Sequence, residues 1–230
     1  WGKKGTLETN KDSNNDQRMH MDYGNNTFLH PPNWSEPECV SLIIYLSDVS
    51  ETGGGTKVVP KNDNTHHLYK SPYINMPGIS NYPFFNDKQT SETYFQQHHK
   101  DIFDFRQQLY RQEISPQLHV GDILFYRLDT WHRGTPVIHG KVRWVMNMVF
   151  KKKDCFWISH WNPGWVKKAY YQDLEQLFIS MNPQQRSILG VPKPGHVYWD
   201  IDKIEKLQLR YPGIDVSPYL EKLKTHTSRC

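Results

Sequence analysis

The stretch GDILFYRLDTWHRGTPVIHGKVRWVMNMVF, residues 121–150, decides the fold class. Gly121–Leu128 and Lys141–Phe150 both alternate and are rich in β-branched and aromatic residues, the pattern of strands, with Thr130–Gly140 between them. The second strand carries one charge out of place, Arg143. Val145, Asn147 and Val149 share its face, and Val142, Trp144, Met146, Met148 and Phe150 share the other. A guanidinium buried without an anion is very costly, so Arg143 calls for a carboxylate. One end of a small dicarboxylic acid would serve, gripped by two parallel hydrogen bonds. His132 lies between the strands, in Asp129-Thr130-Trp131-His132-Arg133-Gly134. A loop at a strand end can aim such a side chain into a barrel mouth.

Upstream, Val40–Asp48 (VSLIIYLSD) is a second clear strand, bounded by Pro37 and the Gly53-Gly54-Gly55 turn. Both of its faces carry bulk, so it is expected to be covered on both sides. Thr56–Val59 follows, then a long loop over 61–89, a length that usually signals function. Phe95, Ile102, Phe105 and Leu109 recur at helical spacing, predicting one helix over Ser91–Glu113 with Ser91 as N-cap. The tail from Trp157 mixes Trp, Pro and helical pieces at Tyr171–Ser180 and Asp200–Arg210, and reads as a lid or buttress. The expected fold is mainly β with added helices, a barrel or sandwich.

Composition narrows the function. In 230 residues, 37% are hydrophobic and 13% aromatic, enough for one sizeable core, and a net charge of +4 excludes global disorder. No apolar run reaches the roughly 18 residues that span a bilayer, so no membrane partner is expected. The slight basic excess does not by itself point to nucleic acid. Cys39, Cys155 and Cys230 form no CxxC pair, which favours a reducing, cytoplasmic setting over a disulfide framework. The chain begins at Trp1 without a methionine, which points to an N-terminal part of the domain lying outside this sequence.

With 12 histidines, no single one is informative. His20-Met21-Asp22 places an imidazole and a carboxylate two residues apart, on one face of an extended segment, where both can grip one ion. His99-Lys100-Asp101 repeats the pattern inside the predicted helix, where positions i and i+2 lie about 200° apart and do not converge. His20, Asp22 and His132 together make two histidines and one carboxylate, the facial triad of non-haem Fe(II) oxygenases; zinc is the runner-up metal.

These residues, in the order His-x-Asp, distant His, then Arg eleven positions on, resemble the phytanoyl-CoA dioxygenase-like branch of the Fe(II)/2-oxoglutarate-dependent oxygenases. MHMD at 19–22, the block at 121–150, VSLIIYLSDVSETGGGTKVVP at 40–60 and the tail at 182–215 carry the likeness, whereas about 61–118 resembles nothing recognisable. The resemblance implies a double-stranded β-helix (a jelly-roll or cupin-like barrel) forming one domain over 1–230. Its barrel core would span about 18–150, with an insertion at about 61–118 and a C-terminal extension at about 156–230. It implies His20, Asp22 and His132 as iron ligands and Arg143 as the clamp for the distal carboxylate of 2-oxoglutarate. With O2, the expected outcome is hydroxylation of a small or medium organic metabolite and release of succinate and CO2; the carboxylate at Asp22 favours hydroxylation over halogenation. Thr135 is carried over as a cosubstrate contact. Tyr45 either reaches the cosubstrate or is a core tyrosine with a satisfied hydroxyl, and Thr56 stands the same way. Tyr69, Tyr73, Tyr82, Phe84 and Phe85 are candidates for lining a substrate pocket. The same chemistry on a protein or nucleic acid, and a silent barrel used for binding, stay open at this point, as does the oligomeric state.

Overall fold

The structure, a computed structural model, describes residues 2–5, 14–22, 29, 39–63, 66–69, 75–79, 81–152 and 172–227. Tyr73, Cys155, Cys230 and Lys153 lie outside them. Among the described residues six strands are present: β1 (Gly2–Lys4), β2 (Cys39–Tyr45), β3 (Thr56–Val58), β4 (Ile123–Arg127), β5 (His132–Gly134) and β6 (Val142–Lys151). Four form an antiparallel sheet in the order β1-β6-β2-β4, with Leu42 opposite Phe125 and Met148, and Lys3 opposite Arg143.

The second sheet pairs β3 with β5, Val58 opposite His132. Single bridges extend it: Gln17 with Asp87, His20 with His132, and Val58 with Ile114. Tyr45 in β2 reaches across to this sheet, its hydroxyl 2.8 Å from Thr56 Oγ1. Among the described residues the two sheets share no strand. Outside the small sheet, Arg133 donates to Glu113 from Nε (2.6 Å) and Nη2 (2.8 Å) and also grips Asp16, while Lys57 donates to Glu113 at 3.1 Å.

The predicted single helix is two. α2 (Lys88–His98) and α3 (Lys100–Gln112) follow a short α1 (Val49–Thr52), and His99 breaks them apart at φ −148°, ψ 72°. The N-cap is Asp87, whose carboxylate accepts from Thr90 N at 2.8 Å; Ser91 is buried one turn inside. The apolar spacing crosses the break without interruption, since Phe95, Ile102 and Leu109 are all buried, so periodicity alone could not locate it. His132, expected in a loop, opens β5. Three residues are too few to show a period.

The tail forms α4 (Gln172–Ser180), α5 (Pro183–Ile188), α6 (Ile201–Arg210) and α7 (Ser217–Thr227). Asn182 and Gln185 close a capping box on α5, and Asp200 caps α6 at Lys203 N, 2.8 Å. Ile204 and Leu207 of α6 join Phe178, Trp199, Tyr211 and Tyr219 in a core that also takes in Cys39 and Leu128. The tail therefore packs onto the end of β2 and the chain just after β4. No helix among the described residues is long and apolar enough to cross a membrane.

The two faces of the large sheet differ. On the inner face Tyr45 and Val145 pack with Leu118. On the outer face Ile123 and Phe125 of β4 and Trp144 and Met146 of β6 are 48% to 61% exposed, whereas Val40, Leu42 and Ile44 of β2, the strand expected to be covered on both sides, are half-buried there. Alternating bulk shows that a face is apolar, not that something lies on it.

Candidate metal and cosubstrate site

His20 and His132 are placed by backbone pairing. Each donates its N–H to the other's carbonyl oxygen at 2.9 Å, so both imidazoles leave the small sheet side by side, ring centroids 4.4 Å apart. Their Nδ1 atoms lie 3.0 Å from Arg18 O and 2.9 Å from Thr130 O, respectively. A proton on Nδ1 held by a carbonyl leaves Nε2 with a free lone pair, the arrangement that prepares histidine for a metal. Both Nε2 atoms face Asp22 Oδ1, at 3.9 Å from His20 and 3.6 Å from His132. Burial first, and then the neighbouring His132, push His20 well below the usual imidazole range, so it is neutral.

The other carboxylate oxygen is also held. Asp22 Oδ2 accepts from Tyr126 at 3.3 Å and from Ser41 at 3.4 Å, and Tyr126 packs against the His132 ring at 4.8 Å. Burial, and next the Asp22 charge, raise the Tyr126 hydroxyl far above the phenol range, so it remains a donor. One ligand atom from each of His20, Asp22 and His132 lies within 4.8 Å of the others. Two imidazole nitrogens and one oriented carboxylate oxygen suit a divalent first-row ion and leave open coordination positions.

Asp22 and His132 open onto a cavity of about 290 Å³ between the sheets, whose lining also includes Arg143 and Lys3. Arg143 is buried, donates to Gly54 O, and sits with its guanidinium 5.9 Å from the centre of the Tyr45 ring. Gly54 permits this approach: its φ is +73°, and a Cβ there would lie 2.6 Å from Val137 and 3.2 Å from Arg143 Cδ. Lys3 Nζ donates to Thr135 O at 3.0 Å and Asn15 O at 3.4 Å. Burial, and then the Arg143 charge beside it, lower the Lys3 amine to about 8. Two cations side by side on one wall favour an anion in the cavity.

The other expected residues fall into two groups. Thr56 and Thr135 line the cavity, but the Thr56 hydroxyl is engaged with Tyr45 and that of Thr135 donates to Gly55 O at 2.8 Å. Tyr45 is fully buried in that brace. Tyr69, Tyr82, Phe84 and Phe85 do not line this cavity. Tyr69 donates to Val59 O within a core, Tyr82 and Phe85 pack on α2 residues, and Phe84 lies under Arg18. Sequence reasoning missed Lys3, Ser41 and Tyr126. Ser41 and Tyr45 stand four positions apart in β2 and so share a face, a signal that could have found Ser41.

No protein-family model matches the chain, and no curated protein matches it. Solved structures that match include the non-haem alpha-ketoglutarate-dependent carbocyclase SnoK from nogalamycin biosynthesis, at 15% identity and a TM-score of 0.41, over 66% of this chain and 46% of that one. EvdO2 from Micromonospora carbonacea var. aurantiaca matches at 13% identity and 0.38, over 65% and 48%. Its complex with 2-oxoglutarate matches at 13% and 0.35, over 59% and 44%. The chain spans less than half the length of each.

Proposed function

We propose that this chain is an Fe(II)- and 2-oxoglutarate-dependent dioxygenase, of phytanoyl-CoA dioxygenase-like type and double-stranded β-helix fold, that hydroxylates a small or medium organic metabolite. The observation that carries the reading is one cavity whose lining includes both Asp22 and His132 of the ligand cluster and the cations Lys3 and Arg143. A dicarboxylate with a metal-chelating 2-oxo acid at one end and a free carboxylate at the other matches both sets of residues. His20, Asp22 and His132 would hold the metal. Bound there, iron would supply O2 activation coupled to decarboxylation of the oxo acid.

The chain's own residues do the rest. Arg143 and Lys3 bind the distal carboxylate and set its direction, which fixes how far the oxo acid reaches. Ser41 and Tyr126 keep Asp22 turned with Oδ1 toward the imidazoles. The Tyr45–Thr56 bond braces the two sheets beside the clamp, so their separation there is held by packing.

The test is succinate formation from labelled 2-oxoglutarate with Fe(II), which proceeds slowly even without the organic substrate. His132→Ala is expected to abolish it. Turnover that survives this substitution, or a wild-type protein that takes up no divalent ion, overturns the reading.

A further inference from the structure

We infer that Glu92, Arg106, Tyr110 and Met76, all within the segment of unrecognised likeness, are positioning residues that hold the segment carrying His20 and Asp22 in place from its second edge. The inference rests on the metal-dependent reading of His20, Asp22 and His132.

The segment 19–21 has two edges. On the first, the N–H and C=O of His20 pair with His132, and three residues earlier Gln17 N–H donates to Gly134 O at 3.0 Å while Gly134 N–H donates to Gln17 Oε1 at 3.0 Å. The second edge would expose Met19 and Met21 backbone groups, and a short unpaired edge is free to shift. Here the insertion fills the place of a strand with side chains. Met19 N–H donates to Tyr110 Oη at 3.0 Å, Met19 O accepts from Arg106 Nη2 at 3.2 Å, and Met21 N–H donates to Met76 Sδ at 3.1 Å.

These side chains are themselves fixed. Arg106, fully buried, donates to Glu92 Oε1 from Nε (2.9 Å) and Nη2 (2.6 Å), and from Nη1 to Asn75 O at 2.9 Å. The Tyr110 hydroxyl donates to the same Glu92 oxygen at 2.8 Å. Glu92 stands on α2 and Arg106 and Tyr110 on α3, so one carboxylate ties the hairpin together and aims both groups at Met19. The Met19 and Met21 side chains lie in the core formed with Leu68, Met76, Ile79 and Leu109, which turns His20 and Asp22 the other way. Metal–ligand distances hold to within about 0.2 Å, so an edge held by three converging groups bears on affinity as a partner of the ligand itself does.

The experiment is a Co(II) titration of the full chain, read by the visible bands of the bound ion. Tyr110→Phe removes the acceptor for Met19 N–H and keeps the ring; Met76→Leu removes the acceptor for Met21 N–H at similar volume. Each is expected to weaken Co(II) binding on the order of tenfold and to shift the bands. Ile204→Val, in the distant core of the tail, lowers stability and is expected to leave both readouts unchanged. Should Tyr110→Phe not fold, Met76→Leu carries the test. Folded variants with wild-type affinity and bands overturn the inference, as does an equal loss in Ile204→Val. A wild-type protein without Co(II) uptake, or a His132→Ala variant that binds as well as wild type, instead removes the metal reading beneath it.

Discussion

His20-Met21-Asp22 and His99-Lys100-Asp101 have the same pattern and opposite fates. In the first, His20 sits in a bridge to a third donor, His132, from far along the chain, and Asp22, where the backbone already turns helical, converges with both. In the second, His99 is the break between α2 and α3, its ring packed 4.9 Å from Tyr82, and Asp101 is exposed in the first turn of α3. A carboxylate there suits the helix N-terminus. The pattern becomes a site only when the local backbone and a long-range partner agree.

The largest effect should come from His20→Ala, which removes one of the three proposed ligands: divalent-ion affinity and 2-oxoglutarate turnover should fall by more than about a hundredfold. His99→Ala should stay within about twofold in the same titration. Equal losses in the two would erase the distinction. The comparison sharpens at the cationic part of the cavity lining. Arg143→Leu should raise KM for 2-oxoglutarate on the order of a hundredfold, the equivalent of about 3 kcal/mol for charge-assisted hydrogen bonds. A larger fall in kcat than rise in KM, measured by steady-state kinetics, would contradict a clamp for the distal carboxylate.

Lys3 gives a smaller effect with a pH signature. Its amine is lowered from 10.5 to about 8, so the free protein loses this charge as pH rises through about 8. An anion needs the protonated form, so KM for 2-oxoglutarate should be lowest below that pH and climb above it. Lys3→Met should raise KM about tenfold at neutral pH and abolish the climb. The same shift acts on folding with the opposite sign: between about 8 and 10.5 the unfolded chain holds the extra proton, so this residue's contribution to stability grows with pH. The smallest change belongs to the second triplet again. Asp101→Asn should lower the melting midpoint by no more than about two degrees, through the helix terminus alone, with metal binding unchanged.

The strands of 121–150 and 40–48 were legible because they are long enough to show a period, and Arg143 because one charge interrupts it. His20, Asp22 and His132 were legible as a set, and the coordinates bring them together. Lys3 was not, since β1 has three residues in a stretch dominated by turn chemistry. Only its register opposite Arg143 gives it a meaning. Tyr126 sits in a recognised strand, but its bond to Asp22 depends on how two sheets face each other, which no local pattern encodes. The break at His99 leaves the apolar spacing intact and was hidden for the same reason. Gly54 was read as part of a turn, whereas its lack of a side chain also makes room for the Arg143 stem.

The mutual pairing of His20 and His132 has a consequence for how such a centre is inherited. Their spacing is a property of strand alignment, not of side-chain choice, and strand faces swap with every single step. Sliding 132–134 by one residue would bring Trp131 or Arg133 opposite His20 and turn the imidazole to the other side. An insertion or deletion here would therefore extinguish the centre in one event.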